Sequence, residues 1–247
     1  MIKKGLILTG VLILLVFAGF SIWAYTPAQP MTEALNALHS GPEVSIMSHP
    51  GWIEFSPAAI KSSQGLILYP GGRVDYRAYA PLANRIASQG YLVILTQMPF
   101  NLAVTQPAKA LQVIEAYPSI QNWSIGGHSL GGAMAANFVR NHPGLVRGLV
   151  LWAAYPAESD SLVNQPVQVI SIYGTQDGLA TVEKTQNSRR LLPETTRFVA
   201  IEGGNHAQFG DYGEQSGDQP ALISWREQQE LIVRSTVQFL QSIGETK

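Results

Sequence analysis

A serine becomes a nucleophile where the backbone presents its hydroxyl and a base is brought to it. Gly127-His128-Ser129-Leu130-Gly131 offers such a place. The pentapeptide matches G-x-S-x-G. An apolar run at 123–127 precedes it and reads as a strand, and a small-residue run at 131–141 follows and reads as a helix. A strand-to-helix turn this sharp strains the serine, leaves room only for glycine two residues to either side, and lifts the hydroxyl beside a helix amino terminus. The plain alternative is a glycine-rich connection with an idle serine; the strand-turn-helix context favours the nucleophile Ser129.

The hydroxyl needs a base, and the chain has five histidines. His128 lies in the turn itself, with a ring expected to point away from Ser129. His142 sits beside Pro143 at a helix end, and His39 and His49 precede the regular alternation of elements described below. Only His206 follows directly on a strand-like run, 198–201, in the loop Gly203-Gly204-Asn205-His206, and it is the expected base rather than a surface histidine. A carboxylate must then fix the imidazole tautomer. Asp177, four residues past the run ending at Tyr173 and followed by Gly178, is the expected partner. An ordinary turn aspartate is the bland account of it. Asp160 is its main rival and Glu202 a more distant one.

Positioning these three groups requires strands that end on one edge. Short β-type runs at 44–47 and 52–55, joined through His49-Pro50-Gly51, read as a hairpin. Strands are then expected at 65–69, 91–96, 123–127, 146–152, 167–173 and 198–201. Helices are expected at 31–38, 76–89, 108–117, 131–141, 181–192 and 223–243. Continuous apolar strands alternating with helices mean a mostly parallel sheet covered on both faces, an α/β architecture whose site lies at the carboxyl ends of the strands. The tract 211–218 is polar and acidic without calcium-loop spacing, and reads as a solvated loop.

The chain order Ser129, Asp177, His206 is that of the α/β hydrolases. Over nearly all of residues 44–243 the chain resembles that superfamily. It is more closely similar to small lid-less bacterial hydrolases with a Tyr-Pro-Gly-Gly segment (here Tyr69-Pro70-Gly71-Gly72) and a Gly-Gly-Asn-His-Ala-Gln-Phe-Gly segment (here 203–210). The resemblance implies the α/β-hydrolase fold, the triad and an oxyanion hole, but leaves the substrate open. One oxyanion donor would be the Leu130 N–H. The second would come from the loop after 65–69, where superfamily members commonly carry His-Gly and this chain carries Pro70-Gly71-Gly72. Counting from the strand end favours Gly72, with Gly71 next. The connection from Trp152 to Val167, where many lipases insert a cap, is short, so no sizeable cap domain is expected. Phe100, Asn101 and Leu102 follow a strand end and could wall a substrate pocket or form a plain loop. Arg73 and Asp75 near the same mouth could meet a polar substrate group or simply make a local ion pair.

The amino terminus reads differently. Lys3 and Lys4 precede an uncharged apolar run, 5–25, long enough at 1.5 Å per residue to span a bilayer of roughly 30 Å, with Trp23 and Tyr25 at its far end. The expectation is one amino-terminal transmembrane helix and linker, residues 1–30, with the domain 31–247 on the extracytoplasmic side. A cleaved signal peptide, and hence secretion, is the competing reading.

Composition narrows the rest. With 16 basic and 17 acidic side chains in 247 residues, the chain lacks the charge footprint of a nucleic-acid binder. It contains no cysteine, which excludes disulfides, thiolate catalysis and Cys-based metal sites. No metal or cofactor is expected. The expected activity is a serine hydrolase working through an acyl-Ser129, on a small-molecule ester or other acyl substrate, most readily a carboxylic ester. Acyl transfer or thioester cleavage by the same triad is the alternative within catalysis. A non-catalytic tethered binding protein on a hydrolase scaffold is the alternative outside it.

Overall fold

A computed structural model describes the backbone of residues 2–245 and the side chains of residues 11–244. Eight strands form one sheet in the order β1-β2-β4-β3-β5-β6-β7-β8. They are β1 (Val44–His49), β2 (Trp52–Pro57), β3 (Gln64–Tyr69), β4 (Leu92–Thr96), β5 (Asn122–His128), β6 (Gly148–Trp152), β7 (Gln168–Gly174) and β8 (Arg197–Ile201). β3 to β8 are parallel, as expected. β1 and β2 pair as a hairpin, and β2 joins the sheet antiparallel to β4. The hairpin turns at Gly51, whose φ of 92° suits glycine.

Both faces of the central strands are apolar, and each face has its own core. Leu66, Leu68, Val93, Leu95, Val150, Trp152, Ile170 and Ile172 point to one side, where α3 (Ala80–Ala87) and α7 (Trp225–Glu245) pack through Leu82, Ile86, Ile232 and Phe239. Ile67, Tyr69, Ile94, Leu149, Leu151 and Val169 point to the other, where α4 (Lys109–Ala116) and α5 (Leu130–Asn141) supply Ala110, Val113, Ala135 and Phe138. Alternation of period two thus builds two hydrophobic layers from one sheet. The helix expected over 76–89 begins as a 3-10 turn, Tyr76–Tyr79, before the α-helical part. The one expected over 181–192 is likewise α-helical only as α6 (Val182–Asn187) and then tightens into a 3-10 turn. Residues 153–167 cross from β6 to β7 with a single 3-10 turn and no cap.

The amino-terminal run forms α1 (Ile2–Tyr25), followed by the short α2 (Thr32–Asn36). The expectation that it spans a membrane is corrected here: among the described residues no helix is long and apolar enough to cross one. α1 instead runs onto the folded domain. Its carboxyl end is committed to the rest of the protein. Arg73 donates to the Trp23 and Thr26 carbonyls at 3.1 and 2.8 Å, and its guanidinium lies 4.5 Å over the Trp23 ring. Asn101 Nδ2 donates to the Ala24 carbonyl at 2.9 Å, and the Phe100 ring meets Phe20 and Tyr25. Trp23 and Tyr25 therefore touch protein groups where headgroup contacts were expected. Lys3 and Lys4, which set the expected orientation, lie outside the described side chains. The anchor, and the extracytoplasmic location inferred from it, fall together.

Candidate active site

Ser129 sits at the end of β5, where the chain reverses into α5, with φ 52° and ψ −122°. A non-glycine residue there carries about 1–3 kcal/mol of backbone strain. The turn closes because Ser129 N–H donates to the Trp152 carbonyl at 3.0 Å and its own carbonyl accepts from Ala133 N–H at 3.1 Å. It closes only with glycine on either side. A Cβ at Gly127 would lie 2.9 Å from the Gly132 nitrogen, and one at Gly131 would press on the Tyr69 and Pro70 carbonyls.

Asp177 and His206 stand on the loops after β7 and β8 and are brought together. His206 Nδ1 lies 2.8 Å from Asp177 Oδ2, with both side chains buried. The other carboxylate oxygen accepts Leu179 N–H at 2.8 Å and Ala180 N–H at 2.7 Å. An ionised carboxylate can only accept, so Nδ1 carries the imidazole proton and Nε2 is left as the basic nitrogen. That Nε2 is buried and has no hydrogen-bond partner among the described residues. His206 and Ser129 line the same cleft of about 300 Å³, whose other walls are Leu130, Ala133, Ala153, Ala154, Tyr155, Leu179 and Ala180. Both rivals of Asp177 are occupied elsewhere. Asp160 accepts from Asn137 Nδ2 at 2.9 Å, and Glu202 from the Thr175 hydroxyl at 3.4 Å.

Leu130 opens α5, so its N–H has no intrahelical acceptor, and it has no other among the described residues. The two glycines of the preceding loop differ. Gly71 N–H donates to the Tyr79 hydroxyl at 2.9 Å, whereas Gly72 N–H has no partner among the described residues. Gly72 also lies against Leu130, since a Cβ on it would be 3.1 Å from Leu130 Cδ2. Of the residues expected to wall a pocket, Leu102 reaches toward Gly72. Phe100 and Asn101 instead line a separate cavity of about 320 Å³ with Tyr25, Gln97 and Lys109. Arg73 is bound to the end of α1, and Asp75 pairs with Arg77 at 2.6 Å, so neither faces the cleft.

Asp218 was not singled out by sequence. Its Oδ1 accepts Gly178 N–H at 3.0 Å and Gln219 N–H at 2.9 Å, and its Oδ2 accepts Ala207 N–H at 2.8 Å. One carboxylate thus ties the residue after Asp177 to the residue after His206. The tract 211–218 is only in part the expected solvated loop: Glu214, Ser216 and Gly217 are exposed, but Asp211 and Tyr212 are buried, and Asp211 N–H donates to the Ala78 carbonyl at 2.8 Å. His128 is equally committed. Its ring is buried, 4.5 Å from that of His206 and stacked on Phe209. Burial and the neighbouring His206 hold it well below the ordinary histidine value, so it is neutral at pH 7.

Residues 65–230 match the model of the alpha/beta hydrolase family. No curated protein matches the chain in sequence. Among solved structures, the chain is similar to an alpha-beta serine hydrolase homologue from Coxiella burnetii, at 18% identity and a TM-score of 0.56, covering 80% of this chain and 98% of that one. It is similar to a predicted CIB-like hydrolase from Thermoplasma acidophilum, at 18% identity and 0.54, covering 81% and 97%. It is also similar to Est1E from Butyrivibrio proteoclasticus, at 11% identity and 0.61, covering 81% and 98%. At these identities the likeness shows the fold.

Proposed function

The chain belongs to the α/β hydrolase family, and from that premise we propose that it is a serine hydrolase cleaving carboxylic esters through an acyl-Ser129. The observation that carries the reading is the buried Asp177–His206 pair, 2.8 Å apart, sharing one cleft with a serine in a strained strand-to-helix turn. Ser129 Oγ attacks the ester carbonyl and gives its proton to His206 Nε2. The free N–H groups of Leu130 and Gly72 receive the oxyanion. The bond to the leaving alkoxide breaks, and the proton on Nε2 passes to that oxygen. Water, deprotonated by His206, then attacks the acyl carbonyl and restores Ser129. Asp177 keeps Nδ1 protonated and balances the imidazolium. The Asp177–His206 loops need no metal for this sequence of steps.

The cleft has no cap over it and only a short apolar wall, mostly alanine and leucine around about 300 Å³, so it can cover a short acyl chain but leaves a long one in water. Together with the short 153–167 connection, this supports a place among the small lid-less members with the Tyr-Pro-Gly-Gly segment. A panel of p-nitrophenyl esters of increasing acyl length tests the reading. Acetate and butyrate should be hydrolysed with a burst of p-nitrophenol, and octanoate and longer chains poorly. Absence of turnover on every ester would reject ester hydrolysis.

A further inference from the structure

We propose that Tyr79 and His128 form a positioning relay that sets the spacing of the two oxyanion donors, an inference that rests on the serine-hydrolase reading above. Gly71 N–H, Tyr79 Oη and His128 Nδ1 stand in line, at 2.9 Å for each step. Each end of this line belongs to a different arm of the hole. Gly71 precedes the donor residue Gly72, and His128 lies two residues before the donor residue Leu130. The two arms leave neighbouring strands, β3 and β5, whose pairing ends at Tyr69 and Gly127. Beyond that point no ladder bond holds them in register, and the relay takes over.

The polarity of the line is fixed by its members. A backbone N–H can only donate, so the Tyr79 oxygen accepts from Gly71 and its single proton must go to His128 Nδ1. That nitrogen therefore carries no hydrogen, and the proton of a neutral His128 is on Nε2. A proton added at Nδ1 would oppose the tyrosine O–H and release the line. Two features keep it from arriving: His128 is held neutral by burial and by His206, and burial pushes the Tyr79 hydroxyl up, so it remains a donor. Glycine at position 71 fits the same purpose. A Cβ there would lie 2.8 Å from both the Tyr79 oxygen and His128 Nδ1. Any larger residue would push the oxyanion loop off the relay.

The relay touches no reacting atom, so its effect should be confined to transition-state binding. Displacing a donor by about 1 Å is worth up to about 100-fold in rate. In Tyr79→Phe, kcat on p-nitrophenyl acetate should fall about 10- to 100-fold with KM within twofold. Affinity for an aryl trifluoromethyl ketone, which forms the tetrahedral oxyanion, should fall in parallel. His128→Asn, which keeps an acceptor near the Nδ1 position, should retain most of kcat. His128→Leu should match Tyr79→Phe, and the double variant Tyr79→Phe/His128→Leu should be no slower than either single one. The relay is overturned if folded Tyr79→Phe keeps wild-type kcat and ketone affinity. It is equally overturned if His128→Asn is as slow as His128→Leu, or if the two single losses multiply in the double variant. Should Tyr79→Phe not fold, the His128 pair decides by the same criterion. Wild type that neither hydrolyses the ester nor reacts with a fluorophosphonate would reject the hydrolase reading itself, a separate outcome.

Discussion

Asp177→Asn isolates what the carboxylate does without changing its shape. In the wild type one oxygen accepts two backbone N–H groups, from Leu179 and Ala180, and the other accepts His206 Nδ1–H. Asparagine keeps one acceptor and gains a donor. Turning its NH₂ toward the two amides would set it against two backbone donors at once, so the carbonyl should stay on the amides and the NH₂ should face Nδ1. The imidazole then answers by exchanging tautomers: Nδ1 accepts and Nε2 carries the hydrogen. The nitrogen that should take the Ser129 proton is now occupied. Inverting the tautomer in a serine triad is worth about 10⁴ in kcat, or about 5.5 kcal/mol of transition-state stabilisation. Substrate binding does not use this hydrogen bond, so KM should change little. The assay is kcat and KM on p-nitrophenyl acetate, with circular dichroism to check the fold. A folded Asp177→Asn enzyme within tenfold of wild-type kcat would refute the role given to Asp177.

Three further outcomes are expected. His128 is held below its ordinary value, so the unfolded chain binds a proton there that the folded chain refuses; its contribution to stability is full above about pH 6.5 and is lost as pH falls below that value. Denaturant unfolding of wild type should therefore lose about 1.4 kcal/mol more per pH unit below 6 than His128→Asn does, and equal slopes would reject the assignment. Asp218→Ala strips the acceptor from the residues following Asp177 and His206; it should lower the melting temperature by about 6–12 °C, on a loss of about 3 kcal/mol, and reduce kcat more than it raises KM. Ala133 lines the cleft, so Ala133→Leu should reduce kcat/KM for butyrate about tenfold or more relative to acetate, as steady-state rates on the two esters would show; an unchanged ratio would place the acyl group elsewhere.

What could be read in the sequence was what local pattern encodes. Apolar strands spaced by helices gave the parallel sheet, and the strand-turn-helix around Ser129 gave the strained turn, because both depend on neighbours in the chain. Asp177 and His206 could be picked out because each follows a strand end, and the carboxyl ends of parallel strands share an edge. The bonds that hold the edge together left no such mark. Asp218 joins loops from β7 and β8 across dozens of residues, and its tract has the composition of a solvated loop. Tyr79 meets His128 across 49 positions, and no periodicity connects them. That the Gly71 N–H is engaged likewise turns on a tyrosine hydroxyl eight residues away. Hydropathy misled most at the amino terminus. It registers the apolar run of α1 but not the guanidinium of Arg73 or the amide of Asn101 that meet its end.

The reactivity of a single oxygen is the claim on which the account stands. Wild-type protein should be incubated with a fluorophosphonate, digested and mapped by peptide mass spectrometry. One phosphonyl adduct is predicted, on Ser129, formed far more slowly in His206→Ala and not at all in Ser129→Ala. An adduct on another residue, or labelling that survives Ser129→Ala unchanged, would contradict it.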